Sequence, residues 1–363
     1  MTTQSSDFMF RIYSMHNYEQ HITEINDLFQ RCKSTDNKSV FHCESIDDLH
    51  CMKQYPESYC CILVDPKDGR VVAIAATNIK FVYFGSSLVT VMFNRLGRVD
   101  PALRRQHLAI NLATQAYQTG LEHVPDYIMS YTGYTNVPSS GVQQRFYGSL
   151  SSPVSRFNHF ILPTRTNSKA VKLYKLSFEE TERLWMVDMI DWVQRPSPSD
   201  IHRIMHMDEY IGTFAVGDFS SQQYAAAMIW EPLTAILCDD RSGTKNAYRG
   251  RFRLVLNFFQ SSNSIPSVTA HEREHLISAL SNAAANDKIP FLMCDIEESS
   301  PFTSLVQQKA LAMTTANISR IPQSQRFTDM VDRFANSPIW LDPRDFGTLL
   351  YLKPVSEKLQ SQL

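Results

Sequence analysis

Two hydrophobic periods alternate along this chain, one near two residues and one near four, and together they predict a layered α/β protein. Residues 8–13 form a short apolar run that predicts a strand, and 18–32 carry Ile22, Ile25, Leu28 and Phe29 at helical spacing. Ser45, with Asp48 three residues on, predicts the N-cap of a second short helix. Residues 58–64 and 71–84 predict paired strands, because Asp65-Pro66-Lys67-Asp68-Gly69 between them supplies the backbone angles of a tight turn. An apolar run at 88–93 predicts the next strand. Val99-Asp100-Pro101 stops it, since proline cannot donate to a sheet ladder. A helix over 108–121 and a strand over 127–132 follow.

The 108–121 helix carries small residues at Ala109, Ala113, Ala116 and Gly120, with Asn111, Thr114, Gln115 and Gln118 on the other side. Small residues let a helix lie close on a sheet, although an ordinary amphipathic helix has the same pattern. The polar stretch at 163–169 predicts a boundary between domains spanning 1–166 and 167–363, and the order beyond it looks like a second pass. Strands are predicted over 170–176, 212–216, 224–238, 252–259, 290–296 and 347–352. Helices are predicted over 178–189, from 200 after a stiff turn at 195–199, over 269–285 and over 302–310.

Composition narrows the class. A 43% hydrophobic and 20% charged content is that of a globular protein with a real core, and 363 residues suit two domains. A formal net charge of -2 gives no reason to expect nucleic acid. No apolar run reaches the ~18 residues a membrane span needs, and the N-terminus lacks the basic start and apolar stretch of a signal peptide. The seven cysteines are odd in number and show no CxxC spacing, which points to reduced thiols in the cytoplasm, with the nucleus also open.

Candidate chemistry gathers where the 88–93 strand gives way to the 108–121 helix. Arg104-Arg105-Gln106-His107 brings positive charge to the start of a helix whose first amides have no intrahelical acceptor, which is an anion site. At these residues the chain resembles the GNAT N-acetyltransferases, whose acetyl-CoA pyrophosphate loop reads V-x-P-x-x-[RQ]-x-x-G-x-[GA]. Val99, Pro101, Arg104 and Ala109 fall in register, and His107 stands where the family has glycine. A histidine there serves only if the backbone angles suit a residue with a Cβ. Its imidazole reaching a phosphate and a weakened cofactor site are the other two readings. Two adjacent arginines are by themselves equally at home on a solvated surface.

The resemblance implies an α/β fold with an N-terminal GNAT domain and a second, degenerate GNAT-like domain that lacks the CoA loop. In that second half only Gln260-Ser261-Ser262-Asn263-Ser264-Ile265-Pro266-Ser267 separates the corresponding strand and helix. The layout also resembles that of the hookless-1-type N-acetyltransferases of plants, through residues 98–109, 211–217 and 339–346. Acetyl-CoA is the implied co-substrate, with no metal, and the implied acceptor is an amine-bearing small molecule or protein.

Residue by residue, the resemblance implies that Leu96, Gly97, Arg98 and Val99 pair with the pantetheine arm, an amide near Leu96 holding the thioester oxygen. Arg104, Arg105, Gln106, His107, Leu108 and Ala109 face the pyrophosphate, and Asn136 lies further along the cofactor. Tyr147 is the candidate general acid for the departing thiolate, although its spacing is a few residues too long. Tyr131 and Tyr134 are its substitutes, or line the acceptor pocket. No carboxylate falls on the 88–93 strand, so the general base stays open among an ordered water, one positioned by Asn94, and His123. A non-catalytic acyl-CoA-binding or scaffold protein is the alternative.

A rival motif, His271-Glu272-Arg273-Glu274-His275, matches the HExxH of zinc metalloproteases. A capping box formed by Thr269 and Glu272 accounts for the glutamate, and the histidines share a polar helix face with Ser278 and Asn282. A helix surface is the expected reading.

Overall fold

The computed structural model describes residues 9–14, 21–32, 41–45, 50–133, 141–142, 153–167, 171–232, 234–238, 248–261, 266–334, 337–346 and 350–355. The N-terminal half contains β1 (Met9–Ser14), α1 (Ile22–Arg31), β2 (Phe41–Ser45), α2 (His50–Lys53), β3 (Glu57–Val64), β4 (Val71–Phe84), β5 (Ser87–Val99), α3 (Leu108–Leu121), β6 (Tyr127–Gly133) and β7 (Pro153–Pro163). The C-terminal half contains β8 (Tyr174–Lys175), α4 (Phe178–Arg183), β9 (Val193–Pro196), α5 (Pro198–Met205), β10 (Tyr210–Asp218), β11 (Gln223–Trp230), β12 (Thr234–Cys238) and β13 (Tyr248–Gly250). It continues through β14 (Arg253–Gln260), α6 (Pro266–Asn286), β15 (Phe291–Glu297), α7 (Thr303–Lys309), β16 (Ala312–Pro322), α8 (Gln325–Arg333) and β17 (Leu350–Pro354).

The main sheet runs β1–β3–β4–β5–β6–β16–β7–β15–β14–β11–β10–β8. Every step is antiparallel except β5/β6 and β14/β15, which are parallel. The sequence of strand directions therefore reads alike from either edge. At its centre the halves interlock, because β6 pairs with β16 and β15 pairs with β7. A smaller sheet joins β2 to β12 and β17.

Helices cover both faces, as buried strands require. Adjacent residues point to opposite faces, so Cys60 packs toward α1 with Ile25 and Leu28, while Cys61 packs toward α3 with Leu108 and Leu112. On the α3 side of the other half, α6 buries Leu276, Ile277 and Leu280 against Ala225, Ala227 and Val255. On the opposite face α5 and the π-helical turn at Leu184–Asp188 cover Met228, Trp230 and Leu254. Among the described residues no helix is long and apolar enough to cross a membrane.

Several local expectations need correction. Ser45 ends strand β2 rather than capping a helix, and the short helix starts at His50. Residues 195–199 are not a free turn: Arg195 and Pro196 are buried in β9 against β4, and Ser197 caps α5 with Pro198 in its first turn. The 224–238 strand is two, β11 and β12, in different sheets. Helix α6 begins at Pro266, so Thr269 lies inside it and not at its N-cap position. Strands β7 and β16 lie outside the sequence expectation, although both sit at the middle of the sheet.

Candidate active site

The site is built where β5 stops following its neighbours. Against β4 the register is Thr77↔Asn94 and Ala76↔Arg95, then Ile74↔Arg98 and Ala73↔Val99, so Leu96 and Gly97 together oppose Ala75. This is a β-bulge, which leaves one backbone unit unpaired and bends the strand. On its other edge β5 follows β6 only from Val91↔Tyr127 to Asn94↔Ser130. Beyond that point the two strands carry no further pairing, and β6 continues against β16 up to Gly133. Residues 95–99 thus border a cleft with an edge that β6 does not occupy. At Gly97 a Cβ would meet nothing within 4 Å, so the bulge faces open space.

The loop that follows is held from below. Asp100 is buried, accepts the Ala102 amide at 3.0 Å and receives Arg31 Nε at 2.8 Å. Arg31 also donates to the Val71 carbonyl at 2.8 Å, tying the loop to α1 and β4. Pro101–Leu103 makes a single 3-10 turn, and Arg104 then returns to extended angles. Arg105 (φ 70) and His107 (φ 62) are both left-handed. Histidine is among the non-glycine residues enriched there, so the loop holds at 107 a backbone shape that glycine adopts freely. The His107 imidazole makes no capping bond, and Arg104, Arg105, Gln106 and His107 are all exposed.

Helix α3 starts at once. The His107 carbonyl accepts the Ile110 and Asn111 amides, leaving those of Leu108 and Ala109 among the donors without an intrahelical partner. No acidic residue occurs in its first turn to neutralise the positive end of the helix dipole. The side chains that seat α3 are Leu108, Leu112, Ala116 and Gly120; Ala109 and Ala113 are only partly covered. Gly120 is required where it stands, because a Cβ would come within 1.8 Å of Met92 Sδ.

Polar groups lie on both faces of the sheet near the point where β5 and β6 part. On the α3 side Thr77 donates to Asn94 Oδ1 at 2.9 Å, so Asn94 is part of the packing beneath that helix. On the opposite side Tyr131, the first β6 residue past the parallel ladder, bonds through its hydroxyl to His159 Nε2 on β7. His159 Nδ1 in turn meets Asp295 Oδ1 on β15 at 2.5 Å, the two residues being directly opposed across the strands. His159 and Asp295 are buried, and burial first, then the Asp295 charge, raises the Tyr131 phenol well above its ordinary value. Neither His159 nor Asp295 was singled out from sequence. One signal was available, since a lone aspartate inside the apolar run 290–296 needs a buried partner.

Other expectations separate from the cleft. His123 lies at the far end of α3, roughly 20 Å from the loop for a helix of this length, and pairs with Glu57 at 3.0 Å. Tyr134, Asn136 and Tyr147 lie outside the described residues. In the HExxH segment the buried Glu272 accepts Gln260 Nε2 at 3.0 Å, so its carboxylate serves the join between α6 and β14. The His271 and His275 rings lie 3.7 Å apart and tilted at 57° to one another, and among the described residues no group of three ligands could hold a metal.

The second half repeats the construction and then closes it. Strand β14 parallels β15 as far as Val255↔Cys294, and two residues on it bulges at Asn257 and Phe258 opposite Ala227. Here Asn257 is left-handed (φ 54) and buried, and its amide clasps the Leu341 backbone in both directions, Nδ2 to the carbonyl at 2.9 Å and Oδ1 from the amide at 2.6 Å. A passing segment of the chain thus covers this bulge.

No protein-family model matches the sequence, and no curated protein matches it. Solved structures do resemble the fold. Saccharomyces cerevisiae N-myristoyltransferase with bound myristoyl-CoA superposes with a TM-score of 0.63 at 10% identity, covering 88% of this chain and 84% of that one. The same enzyme with myristoyl-CoA and inhibitors gives 0.63 at 10% identity over 89% and 81%. The GCN5-related glucosamine N-acetyltransferase region of a fungal multi-domain GH3 beta-N-acetylglucosaminidase gives 0.58 at 12% identity, covering 87% of this chain but 38% of that longer one. With its bulged strand, its splay and the helix that follows, the chain has the GNAT fold.

Proposed function

We propose that this protein is an acyl-CoA-dependent N-acyltransferase that moves an acyl group directly to a primary amine in a ternary complex. One coincidence carries the reading. The bulge at Leu96 and Gly97, the cleft beside residues 95–99 and the unneutralised start of α3 all lie along one short path. A strand edge that its neighbour has left can hold the amides of a pantetheine arm as an added strand, and a helix N-terminus with exposed arginines can hold its pyrophosphate. The covered bulge at Asn257 supports a single cofactor site, in the N-terminal half. The symmetric strand order supports a division into two GNAT-like halves near residue 166, interlocked through β7 and β16.

Within that reading the motif at 99–109 favours acetyl-CoA as donor, whereas the myristoyl-CoA carried by the yeast neighbour favours a longer acyl chain. Tyr147 stays the proposed acid for the thiolate, and the likeness to the hookless-1-type layout rests on its three segments. Titration calorimetry with CoA, acetyl-CoA and myristoyl-CoA tests the proposal. CoA should bind, and Arg104→Ala should weaken it about tenfold, the loss of one charge-assisted contact. A wild-type protein that gives no heat with any of the three rules the reading out.

A further inference from the structure

The chain Tyr131–His159–Asp295, whose inner two members are buried, begins on β6, the strand that borders the cleft. Tyr131 directly follows Ser130, where β6 last pairs with β5. Its hydroxyl reaches diagonally over β16 to His159 Nε2, and His159 Nδ1 is held by Asp295. The carboxylate accepts from Nδ1, which leaves Nε2 as the lone-pair nitrogen that takes the phenol hydrogen. A hydroxyl, an imidazole and a buried carboxylate in series form an arrangement that passes protons along one line. Resting on the acyltransferase reading above, we infer that Tyr131, backed by His159 and Asp295, is the route by which the attacking amine loses its proton.

The amine nitrogen attacks the thioester carbonyl carbon, the N–C bond forms, and the C–S bond breaks to release CoA as its thiolate. The proton shed by nitrogen passes to Tyr131 Oη while the Tyr131 hydroxyl proton passes to His159 Nε2. The imidazolium so formed is stabilised by Asp295, and returning that proton through Tyr131 to thiolate or solvent restores the starting state. Tyr131 touches the reacting amine in this scheme; His159 and Asp295 are positioning residues. The line explains why an isolated histidine and aspartate are buried together at the sheet centre, 136 residues apart in sequence.

The other charged groups on this face are Glu297, two residues from Asp295, Arg320 on β16, and Lys80 and Arg95 beside Phe93, with Asp345 also acting on Tyr131. The His159 ring is held by Tyr131 and Asp295, so the acidic limb of the pH–rate profile is the readout that a merely structural role would not move. CoA-thiol release from acetyl-CoA and myristoyl-CoA is measured with glycinamide and glucosamine as acceptor amines, in wild type, Tyr131→Phe, His159→Gln and Asp295→Asn. The expected result is a fall in kcat of about 100-fold or more, unchanged CoA affinity, and loss of the acidic limb in His159→Gln. Should His159→Gln fail to fold, Tyr131→Phe, which keeps the ring and removes only the hydroxyl, carries the same test. Variants that keep kcat within about threefold and retain the acidic limb overturn the relay while leaving the acyltransferase reading in place. A wild type that binds no CoA and releases no thiol overturns that reading, and the relay goes with it.

Discussion

His107 shows how much a single backbone angle decides. The position is left-handed, where a Cβ costs about 1–2 kcal/mol for most residues and less for histidine. His107→Gly should therefore leave thermal stability unchanged or slightly raised and keep CoA binding. His107→Val, β-branched at positive φ, should destabilise by about 1–2 kcal/mol and weaken CoA by about tenfold. Thermal melts and calorimetry on the pair distinguish loop shape from imidazole chemistry; a valine variant that binds CoA normally removes loop shape from the account. Sequence identified 107 as the departure from the motif and left the angle open, because φ at one residue follows from the packing of its neighbours. Tyr131 was likewise visible, but His159 sits on a strand whose partners are over a hundred residues away.

Between elements, the cleft edge is braced by a buried charge cluster. Lys80 on β4 meets Asp345 at 2.7 Å and Asp342 at 3.4 Å, and Arg344 forks onto Asp342 at 2.8 Å and Asp200 at 3.1 Å. Arg95, beside the bulge, donates to the Arg344 carbonyl at 2.8 Å. Segment 342–345 thus locks β4 and β5 to α5. Burial works to raise the Asp342 carboxyl, but the Arg344 guanidinium and Lys80 ammonium outweigh it and hold it well below the usual carboxylate range. Its folded pKa lies under the unfolded value of about 3.9, so its contribution is present above that pH and is lost as pH falls through the folded pKa. Asp345, raised chiefly by burial, has the opposite sign: its contribution is present below the unfolded value and lost as pH rises through the folded one. Asp342→Asn should cost about 3 kcal/mol at neutral pH, the low end for a broken buried pair because Asp200 still holds Arg344. It should also flatten the acid side of the stability curve. Urea melts across pH measure both, and a variant as stable as wild type at pH 7 contradicts the bracing role.

At the scale of the whole molecule, the interlocked centre makes the halves interdependent. Strand β7 belongs to the first half, yet both its neighbours, β15 and β16, come from the second. Expressed alone, residues 1–166 would leave β6 without β16 and β7 without any partner, exposing long apolar strand edges. That fragment should aggregate, and co-expression with 167–363 should recover a soluble pair, as size-exclusion chromatography would show. A stable monomeric 1–166 would mean that β7 can re-pair with β6 within its own half.

The sequence alone determined what depends on neighbours along the chain. This covers the β3/β4 hairpin, set by a Pro- and Gly-bearing turn, the limits of α3, and the basic loop between β5 and that helix. Tertiary structure decided what depends on strands meeting from far apart. Periodicity carries no register, so the bulge at Leu96 and Gly97 and the point where β5 and β6 part were invisible in it. The exchange of β7 and β16, and with it the alignment of Tyr131, His159 and Asp295, arises only when the two halves close one sheet between them.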